Sequence, residues 1–202
     1  KELGISNVEA EWIPGSEITK ATWPFQWKNV QTDVRHIIVT KLPKEQLEKI
    51  IAYAKSKGAT FNDVILTAYY RAMQTMGKPL YGEPMEIPVT IDLRRYLPDH
   101  KTEAIRNFSG SEKSSVILAP DETFEDTLKK VIPMMCRVKN SRPGLQSAIG
   151  LERVERLSLK ETIAYYKTIS LWPNYCSDKC APVLSNLGVL ADPLIKFGDA
   201  EA

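Results

Sequence analysis

Apolar positions along the chain alternate between a strand-like and a helix-like spacing. A dense β-branched run, with Val34, Ile37, Ile38, Val39 and Thr40, predicts a strand over 34–40. Pro43 then stands where a first helical turn tolerates it. Leu47, Ile50, Ile51 and Ala54 follow at helical spacing until Gly58, so a helix is expected there. Thr60 with Asp63 three residues later has the form of a capping box and predicts a second helix at once. Its apolar positions Phe61, Val64, Ile65, Ala68, Ala72, Met73 and Met76 cover more than one face, which implies burial between layers, and Gly77 and Pro79 should end it.

Further on, 87–93 and 114–118 read as strands, and Thr123 with Asp126 caps a helix to about Lys139 in which Pro133 should introduce a kink or an early break. Residues 148–170 are helical by composition, and 183–187 reads as a short strand. Residues 1–32 show no sustained period: Pro14, Gly15 and Pro24 are interspersed with Trp12, Trp23, Phe25 and Trp27, as in an extended lead-in or linker. The succession of strands and helices over 33–202 predicts one α/β unit, a layered mixed β-sheet flanked by helices.

At 202 residues with 43% hydrophobic composition the chain can bury a substantial core. Lys plus Arg number 27 against 25 Asp plus Glu, a net charge of +2, too balanced for a nucleic-acid partner. No apolar run approaches the roughly 18–20 residues of a membrane span, so a soluble, cytoplasmic protein is expected. The three cysteines, Cys136, Cys176 and Cys180, are too few for a disulfide framework. Cys176 and Cys180, with only His36 and His100 in the chain, fall short of a zinc set, so no metal is expected. The first residue is Lys1, consistent with a piece of a longer protein.

A search for catalytic chemistry finds no phosphate-cradling glycine loop, nucleophile elbow or metal-ligand cluster. His36 stands among Val and Ile as a structural imidazole would, and His100 follows Pro98 and Asp99 in a solvated loop. Asp92, Arg94 and Arg95 close an otherwise apolar strand. They are either solvated at an exposed strand end or paired with partners, since an unpaired buried charge costs several kcal/mol. Asn107 with Ser109, Gly110 and Ser111 reads as a turn.

Taken in order, four segments resemble the second half of acyltransferases of the chloramphenicol-acetyltransferase-like superfamily, which includes peptide-synthetase condensation domains and alcohol acetyltransferases. They are Thr60-Phe61-Asn62-Asp63-Val64-Ile65-Leu66, Pro88-Val89-Thr90-Ile91-Asp92-Leu93-Arg94, Asn107-Phe108-Ser109-Gly110 and Ser185-Asn186-Leu187-Gly188. The short Asp-Leu-Arg form of the second segment leans toward free-standing acetyltransferases. The resemblance implies one of two similar halves around a tunnel, through which an acyl group passes from a coenzyme A or phosphopantetheine thioester to a small alcohol or amine acceptor, with no covalently bound cofactor.

The superfamily's His-His-x-x-x-Asp-Gly motif belongs to the other half, and no two histidines are adjacent here. The general base, and with it any catalytic residue, is therefore expected outside this chain. The resemblance makes Arg94, with Arg95 as its rival, the candidate to grip the motif aspartate across the halves. It makes Asp92, Asn107, Ser185 and Asn186 structural or tunnel-lining residues. The implied partner is an N-terminal half carrying the histidines; a non-catalytic binding or assembly module, and a subunit completing its site in trans, are the alternatives. Without that half, Trp12, Trp23 or Trp27 should lie in an exposed apolar patch and promote self-association.

Overall fold

The structure is a computed structural model that describes residues 22–24, 37–77, 81–100, 107–169, 179–188, 196–197 and 200–201. In chain order its elements are β1 (Trp23–Pro24), α1 (Lys44–Ser56), α2 (Phe61–Gly77), β2 (Pro84–Asp92), β3 (Ser109–Ile117), α3 (Phe124–Asn140), α4 (Leu145–Val154), α5 (Leu159–Ile169), β4 (Lys179–Cys180), β5 (Lys196–Phe197) and β6 (Ala200–Glu201). The fold is mixed α/β. No helix among the described residues is long and apolar enough to cross a membrane.

The helix ends follow local chemistry. Gly58 takes φ +67°, its N–H bonds Lys55 O, and Ala59 N–H bonds Ala54 O, the two closing bonds of a Schellman motif that a left-handed glycine permits. Two residues later the Thr60 amide donates to Asp63 Oδ2 at 2.8 Å, while the Asp63 amide reaches Thr60 Oγ1 at 3.3 Å, the reciprocal bonds of a capping box. Thr123 and Asp126 repeat the device before α3.

The central layer is the antiparallel ribbon β2–β3, in which Met85 faces Val116 and Ile87 faces Ser114. Helices α2 and α3 cover one face. Leu66, Tyr70 and Met73 of α2 and Val131, Met134 and Met135 of α3 form a single buried cluster with Met85, Ile87, Val116 and Trp23. A satellite cluster of Ala54, Val64 and Leu128 ties α1 to the pair. Pro133 does not break α3. An interior proline costs about 3 kcal/mol, whereas each fully buried large apolar side chain returns roughly 1.5–3 kcal/mol, and Val131, Met134 and Met135 flank it.

A two-stranded ribbon has two exposed edges, and side chains close much of both. On β3, Asn107 Oδ1 accepts from Ser109 N–H, and Ser147 of α4 both accepts from Ser111 N–H and donates to Ser111 O. On β2, the Glu86 amide donates to Thr22 Oγ1 and Glu86 O accepts from the Trp23 indole, each at 2.8 Å. Further along β2, Leu184 makes a parallel bridge opposite Val89. The described sheet is therefore antiparallel on one side of β2 and parallel, at one residue, on the other.

Several expectations need correction. Residues 37–40 are not a strand; Ile37 and Ile38 are 89% and 90% exposed, with no sheet edge beside them, and 34–36 lie outside the described residues. Segment 183–187 contributes only the Leu184 bridge. Residues 148–170 divide into α4 and α5 because Ser158 starts a new helix: its amide and hydroxyl both donate to Glu161. Ser109 to Ser111 belong to β3, because their partners lie on β2. Helix α2 buries one face only: Ala68, Ala72 and Met76 are exposed, while Thr67 and Gln74 are buried, their polar atoms donating to Asp63 O and Ala119 O. Trp23 does not lie in an exposed patch but is fully buried, 5.9 Å from the Tyr70 ring. Trp12 and Trp27 lie outside the described residues.

Candidate functional site

A cleft of about 570 Å³ opens where the start of α2, the end of β2, the last turn of α3 and segment 184–186 meet. Leu66, Val89, Ile91, Met135 and Leu184 give it an apolar floor. Its polar lining comes from Asn62 and Lys139 on the helices, Thr90 and Asp92 on β2, and Asn186 opposite; Arg95 and His100 complete it beyond the strand.

The first turn of α2 is locked from below. Asp63 is 3% exposed, and its carboxylate accepts from Lys139 Nζ at 3.2 Å as well as from the Thr60 amide. A carboxylate this buried needs such partners, since desolvation would otherwise cost several kcal/mol. The pair fixes the end of α3 against the start of α2 and so orients Asn62. The Asn62 Oδ1 accepts from Asn186 Nδ2, and Asn186 Oδ1 accepts from Gly188 N–H at 2.8 Å, where Gly188 takes φ +73°. Thr90 Oγ1 meets Ser185 Oγ at 3.1 Å, so both residues of the Ser185-Asn186 pair are tied to the cleft wall.

Past β2 the chain tightens into a short 3-10 turn over Leu93–Tyr96. Asp92 caps it, accepting from the Arg94 amide at 3.0 Å and from Arg94 Nε at 2.9 Å. Those hydrogen bonds, the side-chain one foremost, hold the Asp92 carboxyl below the usual carboxylate range and push the Arg94 guanidinium up. The Arg95 guanidinium lies 5.6 Å over the Tyr96 ring, and Tyr96 OH is anchored on Pro143 O at 2.8 Å. Asp99 and His100 both adopt left-handed backbone, φ 56° and 54°. Non-glycine residues hold that conformation only where the surroundings impose it, and here it sets His100, although exposed, beside the cleft.

Of the residues singled out in the sequence, Asp92, Arg95 and Asn186 line the cleft and Ser185 borders it through Thr90. Arg94 is paired with Asp92, and Asn107 caps β3 without lining the cavity. His100 is exposed, as expected of a loop residue, but it is also part of the site; His36 lies outside the described residues. Asn62 and Lys139 were missed. Asn62 stands inside one of the family-like segments, whereas nothing local marks Lys139, whose place depends on α3 crossing α2. Among the described residues no three His, Cys, Asp or Glu side chains gather as a metal site.

Amides, hydroxyls and cations around an apolar floor suit a ligand with carbonyl or anionic groups on a hydrophobic body. Comparisons with protein-family models, curated proteins and solved structures return no match.

Proposed function

We propose that this chain is one half of an acyltransferase of the chloramphenicol-acetyltransferase-like kind, moving an acyl group from a coenzyme A or phosphopantetheine thioester to an alcohol or amine. The reading is supported by one observation above others. Three of the four family-like segments, far apart in sequence, contribute to a single cleft: Asn62 from the first, Val89 to Asp92 from the second and Asn186 from the last. The remaining segment adjoins them, with Leu93 N–H bonded to Phe108 O at 2.8 Å.

In this reading the chain binds and orients. Its apolar floor takes the hydrophobic part of a substrate and excludes water, while Asn62 and Asn186 present amides to polar groups. The general base comes from a partner half with adjacent histidines, in the cytoplasm. Base catalysis contributes roughly 10²–10⁴-fold, so this chain alone should release no thiol from acetyl-coenzyme A in the presence of an alcohol, whereas the full-length protein should. Thiol release by this chain above a heat-killed control, or its absence from the full-length protein across alcohol and amine acceptors, would overturn the proposal.

A further inference from the structure

The charges around the cleft do not balance. Asp92 is taken by Arg94, whose Nε donates to both carboxylate oxygens at 2.9 and 3.1 Å, and Lys139 is taken by the buried Asp63 at 3.2 Å. Among the charged side chains lining the cavity this leaves Arg95, which has no carboxylate partner among the described residues. Glu112, whose charge reaches the Tyr96 phenol as that of Arg95 does, accepts instead from the Gly144 and Lys113 amides. Asp99 is exposed and outside the lining. The unmatched cation is also held in place. Its guanidinium lies over the Tyr96 ring, which is itself anchored on Pro143 O, and a stacked guanidinium keeps its N–H donors free in its own plane. Leu97 N–H bonds Arg94 O and His100 N–H bonds Leu97 O, so one tied turn carries both Arg95 and His100. The left-handed backbone at Asp99 and His100 brings the imidazole to the same end of the cavity, where it can donate in either protonation state.

We propose that the cleft binds an amphipathic monocarboxylic acid, its apolar body against Leu66, Val89, Ile91 and Met135 and its carboxylate on Arg95, with His100 as a second donor. The planar guanidinium fork matches two carboxylate oxygens with two parallel hydrogen bonds. One unmatched cation suits one negative charge. A phosphate monoester, at roughly −2, would leave charge without a partner beside the Asp92 carboxylate, and an ammonium ligand would meet Arg95 as a like charge. The role of the acid rests on the acyltransferase reading: a thioester donor has its carboxyl tied up in the thioester, so the free acid is the acceptor, and its reacting alcohol or amine stands apart from the carboxylate.

The test uses the full 202-residue chain and four eight-carbon probes that differ only at the head: octanoate, octanamide, octylammonium and octyl phosphate, followed by NMR. Octanoate should shift the Arg95 Nε–H and the methyl groups of Val89, Ile91 and Leu184 saturably. Octanamide should bind about tenfold more weakly, the size of a lost charge-assisted hydrogen bond, and octylammonium more weakly still. Arg95→Gln should reduce octanoate affinity about tenfold and leave octanamide unchanged, with Arg95→Lys restoring only part. Lys44→Gln, which removes a charge of the same sign from the exposed face of α1, should alter neither. Arg95 is exposed, so these variants should fold as the wild type does. The proposal is overturned if octanoate does not bind, if octanamide binds as well, if Arg95→Gln changes nothing, or if octyl phosphate binds tenfold more tightly than octanoate. None of these readouts requires acyl transfer, so failure here is distinct from failure of the full-length protein to release thiol.

Discussion

Asn62 and Asn186 stand 124 residues apart in the chain and join their side-chain amides at the cleft, Nδ2 of Asn186 donating to Oδ1 of Asn62. Both are exposed, so the bond adds little to global stability; its role is to hold segment 184–186 beside β2. Asn186→Ala should leave the melting temperature nearly unchanged but speed hydrogen exchange of the Leu184 and Thr90 amides by about an order of magnitude, as loss of one hydrogen bond from a locally opening unit would. Exchange at unchanged rates would deny the pair this role.

Glu122 is the most consequential buried acid. Its side chain is 2% exposed and accepts from Lys130 Nζ, the Thr127 hydroxyl and the Ala119 amide. Burial pushes its carboxyl up, but these three donors outweigh burial and hold it below the ordinary range. A depressed carboxyl stabilises the fold above its unfolded pKa and loses that contribution as pH falls through the folded value. Glu122→Gln should therefore cost on the order of 2–3 kcal/mol at neutral pH. The gap from wild type should narrow in the acid range, measured by urea melts across pH.

Gly110 has no room for a side chain. A Cβ there would sit 2.9 Å from Gly144 O and 3.0 Å from Gly144 Cα. Backbone atoms cannot swing away as a side chain can, and overpacking costs typically 1–3 kcal/mol. Gly110→Ala should reach the upper end of that range in chemical denaturation, with the β3–α4 contact loosened.

Trp23 and Tyr70 share the centre of the core, and each has a polar anchor: the indole on Glu86 O, the phenol beside Ser114 Oγ and Met85 O. Burial foremost pushes the phenol pKa up. Trp23→Ala should cost about 3–5 kcal/mol, and Tyr70→Phe only about 1 kcal/mol, the net worth of a hydrogen bond. Equal losses would mean that Trp23 fills less of the core than its complete burial indicates.

Arg94→Ala separates a local from a distant role. In this chain Arg94 and Asp92 are more than half exposed, so the substitution should leave the melting temperature within error. If Arg94 also grips a carboxylate of a second half, the full-length protein should lose both activity and melting temperature, with Arg94→Lys restoring little because lysine cannot make the two parallel bonds. Matching losses in the two proteins would assign Arg94 to the local fold alone.

What the sequence by itself determined is what depends on near neighbours. The helix starts at Thr60 and Thr123 and the stop at Gly58 were legible because capping couples residues three to five apart, and β2 was legible from its β-branched run, whereas only the end of β3 was, its Ser109–Ser111 start reading as a turn. An early break at Pro133 did not occur, because local propensity says nothing of the packing that outweighs it. Tertiary structure alone decided whether a candidate strand found an edge: Leu184 did at one residue, whereas 37–40 did not, although 37–40 is the more densely β-branched of the two. It also decided the site. Asp92, Arg95 and Asn186 could be singled out as residues, but their meeting with Asn62 and Lys139 in one cleft requires α3 to cross α2 and segment 184–186 to return to β2, contacts between distant segments that no local pattern encodes.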